Sequence, residues 1–101
     1  MIKDLTEKQF QEEILSTEVT IVDFYTPWCG PCKKLIPVLD SVAAAGSRVF
    51  KINAENYPEV CSEYGVTSVP TLLYFKDGKN VSLTKGLVTE AQINITIGEF
   101  S

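Results

Sequence analysis

The most constraining feature of this chain is an apolar run that leads almost directly into a pair of cysteines. Residues 19–25 are β-branched or aromatic except for one charged residue, Asp23. Large apolar side chains at both alternating sets of positions are typical of a strand buried on both faces. We therefore predict a central strand over Val19–Tyr25, with Cys29 and Cys32 just beyond its end.

The rest of the chain alternates between strand and helix patterns, which predicts an α/β fold. Further strands are predicted at Ile2–Leu5, Val49–Ala54, Thr71–Phe75 and Val81–Lys85, and helices at Glu7–Ser16, from Cys29 to before Gly46, at Tyr57–Tyr64 and at Thr89–Phe100. The last segment is ambiguous, because Ile93, Ile95 and Ile97 also alternate as in a strand. We expect one domain, residues 1–101, with a central five-stranded mixed sheet flanked by four helices.

Charge and hydropathy exclude several classes of function. The 101 residues carry a net charge of −4, and the Lys and Arg residues are scattered rather than gathered into the basic stripe that nucleic acid requires. No apolar run approaches the ~18 residues expected of a membrane span. The N-terminal segment has mixed charge, unlike a signal peptide, so we expect a cytoplasmic protein that binds neither nucleic acid nor membrane.

The two cysteines stand where a strand gives way to a helix. The positive end of the helix stabilises an anion at Cys29, so its thiol ionises readily and becomes the attacking species. Cys32 lies one helical turn further on and can resolve a mixed disulfide formed at Cys29. This setting predicts that Cys29 is a nucleophile and Cys32 its resolving partner.

Two other interpretations of the cysteine pair are open. It can be half of a zinc site, but the chain has no His and the only other sulfur ligand is Cys61. It can also be a pair of inert buried thiols, although the flanking Trp28 and Pro31 argue against that. We favour redox chemistry, expect no metal, and interpret Cys61 as a packing residue.

Asp23 is the second candidate for chemistry. A carboxyl group in a buried strand tends to have a raised pKa and to be neutral near pH 7. If it faces Cys32, it can accept and return the proton of that thiol. The alternative is a solvated or ion-paired Asp at a strand end.

The run Trp28–Cys32 resembles the signature of the thioredoxin family. Matches at family-like spacing extend over nearly the whole chain: Asp23, Pro37, Lys51, Val69–Thr71, Lys76–Gly78 and Gly86. The resemblance implies the thioredoxin fold and the reduction of disulfides in protein substrates. It also implies that no cofactor is bound, and that electrons come from NADPH through a flavin-containing thioredoxin reductase.

The resemblance also assigns roles to individual residues. It implies a cis Val69–Pro70 peptide bond facing the cysteines and a Lys51 that modulates the charge of Asp23. Pro37 lies inside a predicted helix and removes one amide hydrogen bond there, so we expect it to kink the helix, which is a structural role. For Lys51 the alternative is a surface side chain leaving its strand. The implied docking surface consists of Trp28, Gly30, Pro31, Val69, Pro70 and Gly86. We expect the protein to act as a monomer.

The chain departs from the family pattern at two positions. Lys85 stands where small apolar residues are usual, and Ser68 stands where a Gly is usual, which predicts a more polar docking groove. Two alternatives to a reductase stay open: an oxidase or isomerase using the same chemistry, and a non-catalytic binding subunit. Gly30 and Pro31 between the cysteines favour the reductase.

Overall fold

A five-stranded sheet organises residues 2–101, which the computed structural model describes. Its strands are β1 (Lys3–Asp4), β2 (Thr20–Tyr25), β3 (Arg48–Asn53), β4 (Thr71–Lys76) and β5 (Lys79–Lys85). The helices are α1 (Glu7–Glu13), α2 (Gly30–Ala44), α3 (Pro58–Glu63) and α4 (Glu90–Phe100), with one 3-10 turn at Ala54–Asn56. Within these residues the predicted mixed sheet and four helices are confirmed.

The sheet places β2 at its centre, in the order β1-β3-β2-β4-β5. β2 runs parallel to β3 and antiparallel to β4, while β4 and β5 form a hairpin. The end of β2 therefore lies beside the start of β4, since Phe24 pairs with Thr71. The loops after β2, before β4 and after β5 consequently meet at one end of the sheet, where these strands begin or end.

Each face of the sheet buries its own apolar cluster. One cluster gathers α1 and α3 against Val22 and Phe24 of β2, and the other gathers α2 and α4 against Ile21. Because side chains alternate along a strand, Asp23 shares the face of Ile21, which is the face that α2 covers. This is why β2 must be apolar on both sides.

Helix α1 is shorter than predicted, and the expected end at Ser16 is wrong. It ends at Glu13, and the turn that follows is held by the β4–β5 hairpin. The amide of Gly78 donates to the carbonyl of Ile14, and the amide of Asp77 donates to the carbonyl of Ser16, both at 2.9 Å. These tertiary bonds take the place of a further helical turn.

The ambiguous C-terminal segment is a helix, and the strand alternative is wrong. A capping box begins it: the Thr89 side chain accepts from the Gln92 amide, and the Gln92 side chain accepts from the Thr89 amide. Ile93 is fully buried against α2, whereas Ile95 is exposed, as one helical face requires. Other element boundaries differ from the predicted ones by one or two residues.

None of the helices within residues 2–101 has both the length and the apolarity needed to span a membrane.

Candidate active site

The cysteines occupy the junction between β2 and α2. Cys29 is the N-cap of α2, and its Sγ accepts a hydrogen bond of 3.1 Å from the amide of Cys32. The two residues form a disulfide, with their Cα atoms 5.2 Å apart. Pro31 stands in the first turn, where its missing N–H costs no helical bond. The helix N-terminus is thus directed at the Cys29 sulfur, as the sequence predicts.

The two sulfurs differ in accessibility. Cys32 lies in the first turn of α2 and is 3% exposed, whereas Cys29 is partly exposed. An incoming disulfide can therefore reach Cys29 but not Cys32. This difference in exposure is the one expected if Cys29 attacks first and Cys32 second.

Asp23 is buried on the same side of the sheet as Cys32. It is 2% exposed, and its Oδ1 is the one buried side-chain oxygen or nitrogen in residues 2–101 without a hydrogen-bond partner. Burial raises the pKa of this carboxyl to about 7, against a smaller lowering by the charge of Lys51. A carboxyl group with a pKa near neutrality can both accept and release a proton under ordinary conditions.

A cleft of about 150 Å³ brings these groups together beside Cys32. It is lined by Asp23, Tyr25, Thr26, Pro27, Cys32, Lys33, Ile36 and Lys51. The cleft opens a route between the buried carboxyl and solvent. Asp23 and Cys32 thus lie on the lining of the same cavity.

Lys51 lies directly opposite Asp23 across the β2–β3 pairing. Its neighbours Phe50 and Ile52 pack on the other face of the sheet, so the Lys51 side chain leaves toward the cleft. Its ammonium lies 5.3 Å from the centre of the Tyr25 ring. The geometry therefore favours the interpretation in which Lys51 modulates the charge of Asp23 over the one in which it is only a surface side chain.

The segment before β4 reaches the same end of the sheet. The Val69–Pro70 peptide bond is cis, as the resemblance implies. The Pro70 carbonyl accepts a hydrogen bond of 2.8 Å from the amide of Gly86, which joins this segment to the loop after β5. The register Phe24–Thr71 brings Pro70 to the end of the sheet where the cysteine loop begins.

Exposed residues surround the cysteines. Trp28 is 83% exposed, and Gly30 and Pro31 are exposed beside it. Ser68 and Lys85, the two departures from the family pattern, are also exposed. Their position predicts that they alter the surface near Pro70 rather than the proton path.

Among the cleft residues that sequence reasoning missed, Tyr25 and Ile36 are two that it could have found. A signal existed for each: Tyr25 follows Asp23 by two strand positions, and Ile36 follows Cys32 by one helical turn. Both spacings place the residue on the same face as its reactive neighbour. Ile36 is 44% exposed, so it also adds apolar surface outside the cleft.

Two further residues from the sequence analysis lie away from the cleft. Cys61 packs beside the cluster under α1 and α3, and burial raises the pKa of its thiol. Pro37 lies inside α2 and is exposed. Among the residues that the structure describes, no group of three or more His, Cys, Asp or Glu side chains is arranged to hold a metal.

Comparison with known proteins places this geometry in a family. The family model named Thioredoxin matches residues 1–99. The thioredoxin of Porphyra purpurea is 34% identical over 103 residues, covering 98% of this chain and 96% of that protein. Thioredoxin 1 of Synechococcus elongatus is 39% identical over 97 residues, covering 92% of this chain and 91% of that protein.

Solved structures agree with the sequence relatives. A mutant thioredoxin from Halobacterium salinarum superimposes with a TM-score of 0.90 at 32% identity, covering 98% of this chain and 88% of that one. Thioredoxin NaTrxh from Nicotiana alata gives a TM-score of 0.87 at 26% identity, covering 98% and 91%. With its Cys29–Cys32 pair at the head of α2, the chain belongs to the thioredoxin family of thiol–disulfide oxidoreductases.

Proposed function

We propose that this protein reduces disulfides in other proteins, with Cys29 as nucleophile, Cys32 as resolving thiol and Asp23 as proton acceptor and donor. The observation that carries the proposal is the pairing of an accessible sulfur at a helix N-terminus with a buried one beside a buried carboxyl. Exchange of thiols and disulfides needs such an asymmetry, because one sulfur must meet the substrate and the other must then resolve the mixed disulfide.

The reaction runs in two steps from the dithiol form. The Cys29 thiolate attacks one sulfur of the substrate disulfide, and the other substrate sulfur leaves as a thiolate. Cys32 then gives its proton to Asp23 and attacks the Cys29 sulfur of the mixed disulfide, which expels the second substrate thiolate. The substrate gains two electrons, and the protein is left with the Cys29–Cys32 disulfide that the structure holds.

Substrate docking is proposed at the end of the sheet around Cys29. The proposed surface consists of Trp28, Gly30, Pro31, Val69 and Gly86 around Pro70, whose own side chain is buried. Trp28 offers a large exposed apolar face, and an extended segment of a partner can pair with backbone groups before β4. Thioredoxins need no bound cofactor of their own. We further propose a single domain acting as a cytoplasmic monomer, which a flavin-containing reductase returns to the dithiol form with electrons from NADPH.

The test is the reduction of insulin by dithiothreitol, followed by the turbidity of the precipitating chains. Wild-type protein should accelerate precipitation, and Cys29→Ser should abolish the acceleration. Cys61→Ser is the matched control, because it removes the third cysteine of the chain and should leave the rate unchanged. Wild-type protein that fails to accelerate the reaction would contradict the proposal.

Two alternatives make different predictions. An oxidase or isomerase would have a reduction potential of about −120 to −180 mV, whereas a reductase would have one of about −270 mV. A non-catalytic binding subunit would keep its biological activity when both Cys29 and Cys32 are replaced by Ser. Equilibration with glutathione or NADPH-coupled reductase measures the potential directly.

A further inference from the structure

Three charged residues lie in one row across the sheet. Asp4 of β1 pairs with Lys51 of β3, and Lys51 pairs with Asp23 of β2. Paired residues of parallel strands share a face, so one ammonium stands between two carboxyl groups. With strands about 4.8 Å apart, the two aspartates are about 10 Å apart along this row. They therefore compete for the charge of Lys51.

The Tyr25 side chain lies across the same row, on the face of the sheet that carries the three charged residues. It lies two residues beyond Asp23 on the same face, and its hydroxyl donates a hydrogen bond to Oδ2 of Asp4. To reach β1 from β2 its ring must pass over β3, where the Lys51 ammonium lies 5.3 Å from the ring centre. Burial, and next the bond to Asp4, raise the pKa of the Tyr25 phenol, so it remains a donor at neutral pH.

The Tyr25 hydroxyl donates its hydrogen bond to one of the two Asp4 carboxylate oxygens, which would otherwise attract Lys51. Within residues 2–101 the only ion pair closer than 4.0 Å is Arg48–Glu13, so Lys51 is bonded to neither aspartate. It rests instead on the aromatic ring, a position that a cation–π contact stabilises. The charge of Lys51 is thus shared between Asp4 and Asp23 rather than committed to one of them.

We propose that Asp4 and Tyr25 are positioning residues: they hold the Lys51 ammonium at a fixed place beside Asp23, and so set how readily Asp23 exchanges a proton with Cys32. This inference rests on the role proposed above for Asp23. The other groups that face Asp23 are Cys32 and Lys33 from α2, and the apolar Leu72 from β4. Neither Asp4 nor Tyr25 touches a reacting sulfur in this scheme.

The two positioning residues make opposite predictions. Tyr25→Phe keeps the ring but frees the Asp4 carboxylate to attract Lys51, so the pKa of Asp23 should rise. Asp4→Asn removes the competing charge, so the pKa of Asp23 should fall. For charges at this spacing near a protein surface we expect each shift to be on the order of 0.5, about a threefold change in the ratio of protonated to ionised Asp23.

The experiment is a carboxyl-carbon NMR titration of Asp23 between pH 4 and 10, on the oxidised protein. Oxidation removes the Cys29 and Cys32 thiols from the titration, so their ionisation cannot be confused with that of Asp23. Asp40→Asn is the matched control: it makes the same charge change at an exposed site of α2, about 12 Å along the helix from Cys32. It should leave the titration of Asp23 where it is in the wild type.

The double variant Asp4→Asn with Tyr25→Phe completes a double-mutant cycle with the two single variants. No charged acceptor remains for Tyr25→Phe to release, so the double variant should titrate like Asp4→Asn alone. Shifts of the same sign in both single variants, or shifts no larger than that of Asp40→Asn, would overturn the inference. Both substitutions are nearly isosteric and Asp4 is exposed, so folded protein is expected throughout.

The titration needs no turnover, which separates this inference from the proposed function. If insulin is not reduced but the two shifts appear, the positioning stands and the assigned activity fails. If insulin is reduced and the shifts are absent, only the positioning fails. In the reduced protein the pH midpoint of the reduction rate should move in the same directions as the Asp23 pKa.

Discussion

The amide of Gly86 donates a hydrogen bond of 2.8 Å to the carbonyl of Pro70, and it does so from a left-handed backbone conformation with φ of +78°. This bond ties the loop after β5 to the segment before β4. A residue with a Cβ is strained at that φ, although the space around Gly86 is open. The backbone conformation, rather than crowding, is what calls for glycine here.

Gly86→Ala should therefore lower the free energy of unfolding by about 1–2 kcal/mol. Urea denaturation of the oxidised protein measures the change. Gly98→Ala is the matched control, because Gly98 lies inside α4, also with open space, where Ala is the better helix former by about 1 kcal/mol. The two substitutions should thus shift the midpoint in opposite directions, and equal shifts would refute the explanation.

Asp23 should make the protein less stable as pH rises. Its folded pKa of about 7 lies above the ordinary value of 3.8, so between these values the unfolded chain ionises Asp23 while the folded protein does not. The unfolded state then binds fewer protons, and stability falls with increasing pH until it levels off above pH 7. Over the whole window the loss is up to about 4 kcal/mol.

Asp23→Asn removes that titration. Between pH 4 and pH 8 the wild type should therefore lose up to about 4 kcal/mol of unfolding free energy relative to this variant. Urea denaturation of both proteins at each pH measures the difference. Asp40→Asn, which alters an exposed carboxylate, should keep the wild-type dependence. A difference that does not change with pH would show that the carboxyl is ionised throughout. In the reductase assay Asp23→Asn should slow the step that uses Cys32.

Trp28 should contribute to docking and not to folding. With 83% of its surface exposed, Trp28→Ala should change the unfolding free energy by less than about 0.5 kcal/mol. It should raise KM for insulin about tenfold, which corresponds to about 1.4 kcal/mol of binding. The rate with a small aromatic disulfide should be unaffected, since such a substrate does not need the protein surface.

Leu15→Ala is a suitable comparison for Trp28→Ala. Leu15 is also a large exposed apolar side chain, at 65%, but it lies next to Gly78, at the opposite end of the sheet from the cysteines. Its removal should leave KM for insulin unchanged. Equal effects of the two substitutions would mean that general surface hydrophobicity, not docking at Trp28, governs substrate affinity.

Arg48 should stabilise the fold mainly through its hydrogen bonds to uncharged acceptors. Its guanidinium donates to the buried Thr20 hydroxyl at 3.0 Å and to the Glu13 backbone carbonyl at 3.1 Å, besides the ion pair of 2.8 Å with the Glu13 side chain. The charged pair is partly exposed, so Glu13→Gln should cost less than about 1 kcal/mol. Arg48→Ala leaves the neutral acceptors without their donor and should cost about 1–3 kcal/mol.

Thermal and urea denaturation of both variants distinguish these contributions. If Glu13→Gln proves as costly as Arg48→Ala, the ion pair dominates and the explanation is wrong. The stability lost in Arg48→Lys should lie between the losses in Glu13→Gln and Arg48→Ala, because a single ammonium cannot reproduce the planar set of donors.

Much of the reactive site could be predicted without coordinates. The apolar residues of β2 predict a strand buried on both faces, and strand alternation places Asp23 on the face of Ile21. The helical spacing of Leu35, Leu39 and Val42 predicts α2, and with it the location of Cys29 at a helix N-terminus. These features are local, because each depends on residues separated by one strand or one helical turn.

Features that depend on pairing between distant segments could not be predicted in this way. The end of α1 at Glu13 is decided by the hairpin amides of Asp77 and Gly78, which are more than 60 residues away in sequence. Helical spacing extends the pattern to Leu15, but spacing contains no information about what will dock there.

The row of Asp4, Lys51 and Asp23 illustrates the same limit at the site itself. Alternation along each strand determines which face a residue occupies, and for Lys51 it indicates a face different from that of Phe50. It does not determine which residue stands opposite, because the register between strands is set by packing of the whole sheet. The sequence by itself thus determined the central strand, the cysteine pair and the face of Asp23. Only the tertiary structure placed Lys51 between two carboxyl groups with Tyr25 across it, because that arrangement exists only once three separate strands are paired.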